Sequence, residues 1–181
     1  MSMNLRYCRA LARGACGIGC TFRYAVAFTI SFGGNVFKHL LVPVDEYSVE
    51  DDDFASLRTL ALADDARVTL VHVSDPLPPT FYLQNGYGGD YITVADHKKA
   101  CASYAHRLFK RAEQKIGTLV RTDTLHLFNA DVAAGIVDAV KTAGADGILM
   151  VSHKRSGLAG LVMGSETRDV MRKASVPLLV L

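Results

Sequence analysis

The sequence predicts an α/β fold, a single domain on a doubly wound, parallel five-stranded sheet, and three observations carry that prediction. Five short runs rich in apolar residues, at 39–45, 68–73, 122–128, 147–151 and 176–181, have the length of strands, and most lack the polar alternation of a half-exposed sheet. Segments with apolar residues at helical spacing separate them, and strands alternating with helices in this order indicate a parallel sheet with right-handed crossovers. The chain has 181 residues, 50% of them hydrophobic and 21% charged, which suits one ordinary domain with a proper core.

Charge narrows the function classes. Twenty Lys and Arg against eighteen Asp and Glu leave a formal charge of +2, too even for a broad nucleic-acid footprint. No nucleic acid is expected as a partner. The balance is uneven along the chain, because no acid precedes Asp45 whereas Arg6, Arg9, Arg13, Arg23 and Lys38 do. Residues 1–35 therefore read as an N-terminal extension without clean periodicity, disordered or the product of a misassigned start, with a GTG codon at Val36 as the alternative beginning. The apolar run at 24–32 falls short of the roughly 20 residues that cross a bilayer, so no membrane span is expected. Cys16-Gly-Ile-Gly-Cys20 lacks a second ligand pair for structural zinc and the spacing of a redox pair. With only Cys101 beyond it, the domain has no disulfide framework and fits a reducing cytoplasm.

The elements follow in order from residue 36. Leu40-Leu41-Val42-Pro43-Val44-Asp45 is the first buried strand, with Pro43 near its end and Asp45 at the carboxyl edge, where open parallel sheets place their ligands. Asp45 equally suits a cap for the helix that follows. Glu50, Asp51, Asp52 and Asp53 precede Phe54, Leu57, Leu60 and Ala61 and place acids in the first turn of a helix. Val68 to Val73 is the second strand, in which His72 reads as a structural histidine with one satisfied ring nitrogen, since no nucleophile motif accompanies it. Residues 75–90 form a long loop of prolines, glycines and the aromatics Phe81, Tyr82 and Tyr87, a candidate lid or a variable surface.

A long helix runs over 93–116 with Tyr104, Leu108, Ala112 and Ile116 in one stripe, its basic residues and His97 and His106 facing water. After the third strand, Asp131 caps a helix carrying Ala133, Ile136, Val137 and Val140 that ends at Gly144. The fourth strand, 147–151, leads through a polar loop to Gly164-Ser165, with Ser165 expected to accept from an orphan amide of the last helix. That strand, loop and helix would aim free amides at the space above the strand's carboxyl end, where a phosphate could bind. The run opened by Val176 and ended by Leu181 is the fifth strand. As a sheet edge its open hydrogen-bond row requires cover.

Those residues carry a resemblance. Gly164-Ser165, with Ser152-His153 and Arg155-Ser156-Gly157-Leu158 before it, resembles the C-terminal signature of the universal stress protein family, Gly-x-x-Gly, nine residues, then Gly-Ser or Gly-Thr. Val151 and Lys154 stand where the leading glycines would be. Pro43-Val44-Asp45 and the Val71-His72-Val73 run are also similar to family motifs. The resemblance covers residues 36–181 and implies a Rossmann-like sheet of order 3-2-1-4-5. It implies ATP or AMP, with Mg2+, held by Pro43, Val44, Asp45, Val73 and Met150 at the adenosine end. His153 and Lys154 lie between, and Gly164, Ser165 and Thr167 lie at the phosphates. It further implies a homodimer through the strand from Val176 to Leu181.

The expected function is thus a dimeric stress-response module that binds ATP or AMP at the carboxyl edge of its sheet. The alternative is a nucleotide-free stress protein acting through protein contacts, since a β-branched valine at 151 disfavours what glycine permits and adds bulk in the ligand's path, while Lys154 supplies a compensating charge. A third alternative, an ATP hydrolase with weak activity, has less behind it, since no phosphate-binding loop of the Gly-x-x-x-x-Gly-Lys type and no catalytic residue is found.

Overall fold

A computed structural model describes residues 36–50, 53–76, 93–151 and 164–181. Five parallel strands form one sheet: β1 (His39–Pro43), β2 (Arg67–Ser74), β3 (Thr122–Phe128), β4 (Gly147–Met150) and β5 (Leu178–Val180). Their order is β3-β2-β1-β4-β5, as the resemblance implied. The helices are α1 (Glu46–Glu50), α2 (Phe54–Ala63), α3 (Val94–Ile116), α4 (Val132–Ala143) and α5 (Ser165–Lys173).

Strand parity divides the core in two, because successive side chains point to opposite faces. Leu40 and Val42 of the first strand and Val44 just beyond it pack with Val68 and Leu70, and with Phe54, Leu57, Ala105, Leu108 and Ala112 of α2 and α3. Leu41, Val71, Ile148 and Met150 face the other way, onto Ile136, Ala139 and Val140 of α4 and Val170 of α5. The reversal of strand order therefore falls between β1 and β4. In sheets of this type the crevice outside the carboxyl ends at that point receives ligands.

Local chemistry explains most element boundaries. Pro43 ends β1 after the pairing with β4 has stopped at Leu41 and Ile148, so the amide it lacks deprives the ladder of nothing. Thr93 and Asp96 form a reciprocal capping box at the start of α3, with the Asp96 amide 3.0 Å from Thr93 Oγ1. Asp131 Oδ1 accepts from the Ala134 amide at 2.9 Å to start α4, and Gly144 ends it at φ 68°, a left-handed conformation that glycine adopts without a Cβ penalty. Both of these ends were expected.

Three boundaries differ from expectation. The acids near residue 50 do not occupy the first turn of a single helix: α1 begins earlier, at Glu46, and Asp53 precedes α2, whose own first turn has none. A helix starts at Glu46 because Asp45 and Ser48 bond each other's amides, at 2.8 and 2.7 Å. The fourth strand stops at Met150, and the fifth is confined to Leu178–Val180, although Pro177 still accepts from the Ile148 amide at 2.9 Å. Residues 1–35, most of the 75–90 loop, and Ser152 to Met163 lie outside the described residues.

Candidate nucleotide cleft

The carboxyl ends of three adjacent strands carry most of the residues singled out in the sequence. Pro43 closes β1, and Val44, one residue beyond, continues the ladder by donating its amide to the Val71 carbonyl at 2.8 Å. The Val44 carbonyl accepts from His72 Nδ1 at 2.8 Å. A carbonyl cannot donate, so Nδ1 carries the proton, and His72 is the half-buried structural histidine expected. Asp45 takes the capping role: its Oδ1 accepts from the Ser48 amide. The same carboxylate lies close enough to Tyr104 to help raise its hydroxyl pKa, after burial and Glu46.

Val73, next to last in β2, faces the α4 side and is half-buried. There the helix approaches closely. A Cβ on Gly135 of α4 would stand 2.8 Å from Val73 Cγ1 and 3.1 Å from both its Cγ2 and Asn129 Cβ, so glycine is what lets α4 seat against the end of this strand. Gly135 is a site residue that the sequence reading missed. Its signal was an isolated glycine inside a helical pattern, which marks a close approach.

Met150 ends β4 with its side chain in the α4 and α5 core and its carbonyl accepting from the Leu181 amide at 3.0 Å. Val151 corrects an expectation. Its side chain is only 7% exposed and joins the opposite core, the one containing Val44 and Val49, so its bulk is taken up in packing instead of standing free in a ligand's path. His153 and Lys154 fall outside the described residues.

At the start of α5 the roles are also shifted. Gly164, at φ −58° and ψ 159°, is the capping residue and offers no side chain to the helix. Ser165 is the first helical residue, and its hydroxyl donates to Glu166 Oε2 at 2.8 Å instead of accepting from an amide. The first intrahelical bond runs from the Arg168 amide to the Gly164 carbonyl, which leaves the amides of Ser165, Glu166 and Thr167 without helical acceptors. Thr167 is 8% exposed, with its Oγ1 3.9 Å from where a Gly164 Cβ would stand. The helices α1, α3 and α4 each receive a side-chain cap, from Asp45, Thr93 and Asp131. Among the described residues α2 and α5 receive none, and of these two α5 starts where the family signature places phosphate oxygens, which its dipole and amides would fit.

The helix is also braced at its far end. Lys173 pairs with Asp131, tying the last turn of α5 to the first of α4. The Asp131 carboxyl sits below its ordinary value, first through the hydrogen bond from Lys173 and then through the Ala134 amide.

Comparison with known proteins agrees with this architecture. The chain is 24% identical over 157 residues to universal stress protein MJ0531 of Methanocaldococcus jannaschii, covering 87% of this chain and 89% of that one. The structure of universal stress protein UspA from Lactobacillus plantarum superposes with a TM-score of 0.60 at 19% identity, over 80% of this chain and 97% of its own. That of the universal stress protein from Archaeoglobus fulgidus, in complex with dAMP, does so with a TM-score of 0.51 at 17% identity, over 80% and 98%. At these identities the two solved structures speak for the fold. Residues 37–181 match the model of the universal stress protein family, and the chain belongs to that family.

Proposed function

We propose that this protein binds an adenine nucleotide, ATP or AMP, in the crevice at the carboxyl edge of its sheet, as a cytoplasmic stress-response module. The observation that carries this reading is the start of α5 beside the β1/β4 reversal: three backbone amides and a helix dipole face that edge without a side-chain cap among the described residues, while α1 and α4, which follow β1 and β3 directly, are capped by Asp45 and Asp131. Pro43, Val44, Asp45, Val73 and Met150 would meet the adenosine, and Gly164, Ser165 and Thr167 the phosphates. His153 and Lys154 would lie between them. Mg2+ would accompany ATP through its phosphates. The dAMP complex of the Archaeoglobus fulgidus relative supports the ligand class.

Gly164 is a clean probe of this reading. Its φ is ordinary and, among the described residues, an added Cβ would meet only Thr167 Oγ1, at 3.9 Å, so Gly164→Ala or Gly164→Val is expected to fold while crowding the amides. Calorimetry with ATP and Mg2+ is expected to give a saturable affinity that falls about tenfold in Gly164→Val, equivalent to about 1.4 kcal/mol. No heat with the wild-type chain would favour the second reading, a nucleotide-free module acting through protein contacts. What supports that second reading is the backbone at 151, where a β-branched valine disfavours the conformations open to the glycine of the family signature.

The same proposal includes a homodimer through residues 176–181. Support comes from β5 lying at the sheet edge with Leu178, Leu179 and Val180 all half-buried, an apolar row that a second copy would cover. Light scattering is expected to return twice the mass of one chain; a monomer at high concentration would rule this out.

A further inference from the structure

Five rings form a ladder over the carboxyl halves of β2 and β3, beneath α3. In order they are Tyr104, His72, His126, Phe128 and His97, with successive centroid separations of 5.4, 6.0, 4.8 and 6.4 Å. The ladder arises from register, since His72 pairs with His126 and Ser74 with Phe128 across the two strands, on the face covered by α3. At its centre the two imidazoles stack with their planes 25° apart.

The hydrogen bonds fix which nitrogens are available. His72 Nδ1 keeps its proton on the Val44 carbonyl, and His97 Nε2 keeps one on the Asp75 carbonyl at 2.9 Å. His126 Nε2 lies 2.9 Å from the hydroxyl of the buried Ser74, which can act as donor or acceptor. A proton arriving at His72 or His126 therefore breaks no bond already made. What it changes is charge. With both rings cationic, two like charges face each other at 6.0 Å in a half-buried stack, and even the full dielectric of water leaves a repulsion that lowers the second proton's affinity about threefold.

The neighbours do not remove this conflict. From α3 come Tyr104, with the Arg107 guanidinium 5.8 Å from its ring centre, and His97 beside Cys101. From the corner after β1 come Asp45, Glu46 and Tyr47, all close enough to act on the Tyr104 hydroxyl. His106, Lys110 and Glu113 line a groove by Thr124, lower on β3. None of these groups separates the two rings. Burial first, and the His72 ring second, hold His126 below the ordinary imidazole value.

We propose that His72 and His126 form an acid-responsive latch: the pair takes one proton and resists a second, and forcing the second in loosens the first half of α3 and the Val44 corner from the sheet. The mechanical link is short. His72 touches α3 through Tyr104 and β1 through the Val44 carbonyl, so displacement of its ring reaches both. The latch stands whether or not a nucleotide binds.

The test is a side-chain NMR titration of the full chain from about pH 8 to about pH 5, where histidines change charge. It is paired with amide hydrogen exchange at both ends of the range, corrected for intrinsic chemistry. His72→Gln retains a donor for the Val44 carbonyl, and His126→Gln retains a partner for Ser74; neither titrates. The proton affinity of His126 is expected to rise about threefold or more in His72→Gln. Acid is expected to speed exchange at residues 94–104 and at Val44 at least about threefold in wild type, and in neither variant. An unchanged His126 midpoint in His72→Gln, or equal acid loosening in all three chains, would overturn the proposal. Should a variant fail to fold, the wild-type curves decide: shared two-step titration at both rings supports the latch, and two independent single-step curves refute it.

Discussion

The amino and carboxyl edges of the sheet use similar residues to different ends. At the amino edge, polar side chains close the structure on itself. Asp146 accepts from the Lys38 and His39 amides at 2.9 and 3.0 Å, Asp64 accepts from the Phe37 amide at 2.9 Å, and His39 bridges Arg67 and Thr69 at 3.1 and 2.7 Å. Gly147 lets Phe37 lie directly on the backbone of β4. At the carboxyl edge the strands lead into helix starts, and one of those, on α5, has no side-chain cap among the described residues. The contrast teaches that an open parallel sheet must satisfy its polar groups at both edges, and that the edge where backbone donors are left over is the one available for a ligand.

The largest expected effect breaks the closed edge. A Cβ on Gly147 would stand 2.6 and 2.7 Å from two carbons of the Phe37 ring and 3.1 Å from Leu40 Cδ2, and a ring buried in the core has little room to yield. Gly147→Val is expected to destabilise by about 3 kcal/mol, or roughly 10 °C in Tm, read by thermal and urea unfolding. Nucleotide affinity, measured below the transition, should stay within about twofold of wild type. A large affinity loss with little change in stability would mean that the two edges are not separable in this way.

A smaller effect tests the open edge. In Gly135→Ala the new methyl must displace Val73, while alanine's helix propensity returns about 1 kcal/mol; the net cost is about 1 kcal/mol after overpacking is included. The displaced residue closes the cleft, so affinity for the nucleotide should fall about threefold or more although the change touches no ligand atom. Unaltered affinity with the full stability loss would remove Val73 from the proposed site and leave Gly135 as a packing residue only.

Much of this was legible in the sequence because the relevant rules are local. Asp131 and Gly144 marked the ends of α4, the apolar runs marked the strands, and alternation with helices gave the class. The starts of α2 and α5 were misread for a local reason as well: adjacent residues competed for one cap. Gly164 and Ser165 can each begin a helix, and backbone angles decided for glycine; Asp45 with Ser48 began a helix before the acids near residue 50 could. Val151 was legible and overlooked, since parity with Leu149 places it on the α2 and α3 face whatever the loop beyond does. The histidine ladder and the Val73–Gly135 approach were not legible. Both depend on the register between β2 and β3 and on the seat of a helix, which pattern along one chain does not specify.

The smallest effect separates the edges by pH. His39 at the amino edge and His126 at the carboxyl edge are both held below the ordinary imidazole value of 6.5, each by burial first, then by Arg67 and by His72 respectively. The sign follows from linkage. Above 6.5 both folded and unfolded chains hold these rings neutral and stability does not depend on them; as pH falls through 6.5 the unfolded chain takes up protons that the folded chain refuses, so stability declines until the folded rings titrate. Asp96 and Asp131, held below 3.8, lose their contributions only as pH falls through that lower range, which keeps the two windows apart. The edges then differ in what protonation disrupts. His39 Nδ1 accepts from Arg67, so its protonation ends a hydrogen bond and sets two cations together, whereas His126 can turn donor toward Ser74 and keep its bond. Urea midpoints between about pH 7.5 and about pH 5.5 are therefore expected to flatten more in His39→Gln than in His126→Gln. The reverse order would assign the acid sensitivity of folding to the carboxyl edge and would join it to the His72–His126 pair.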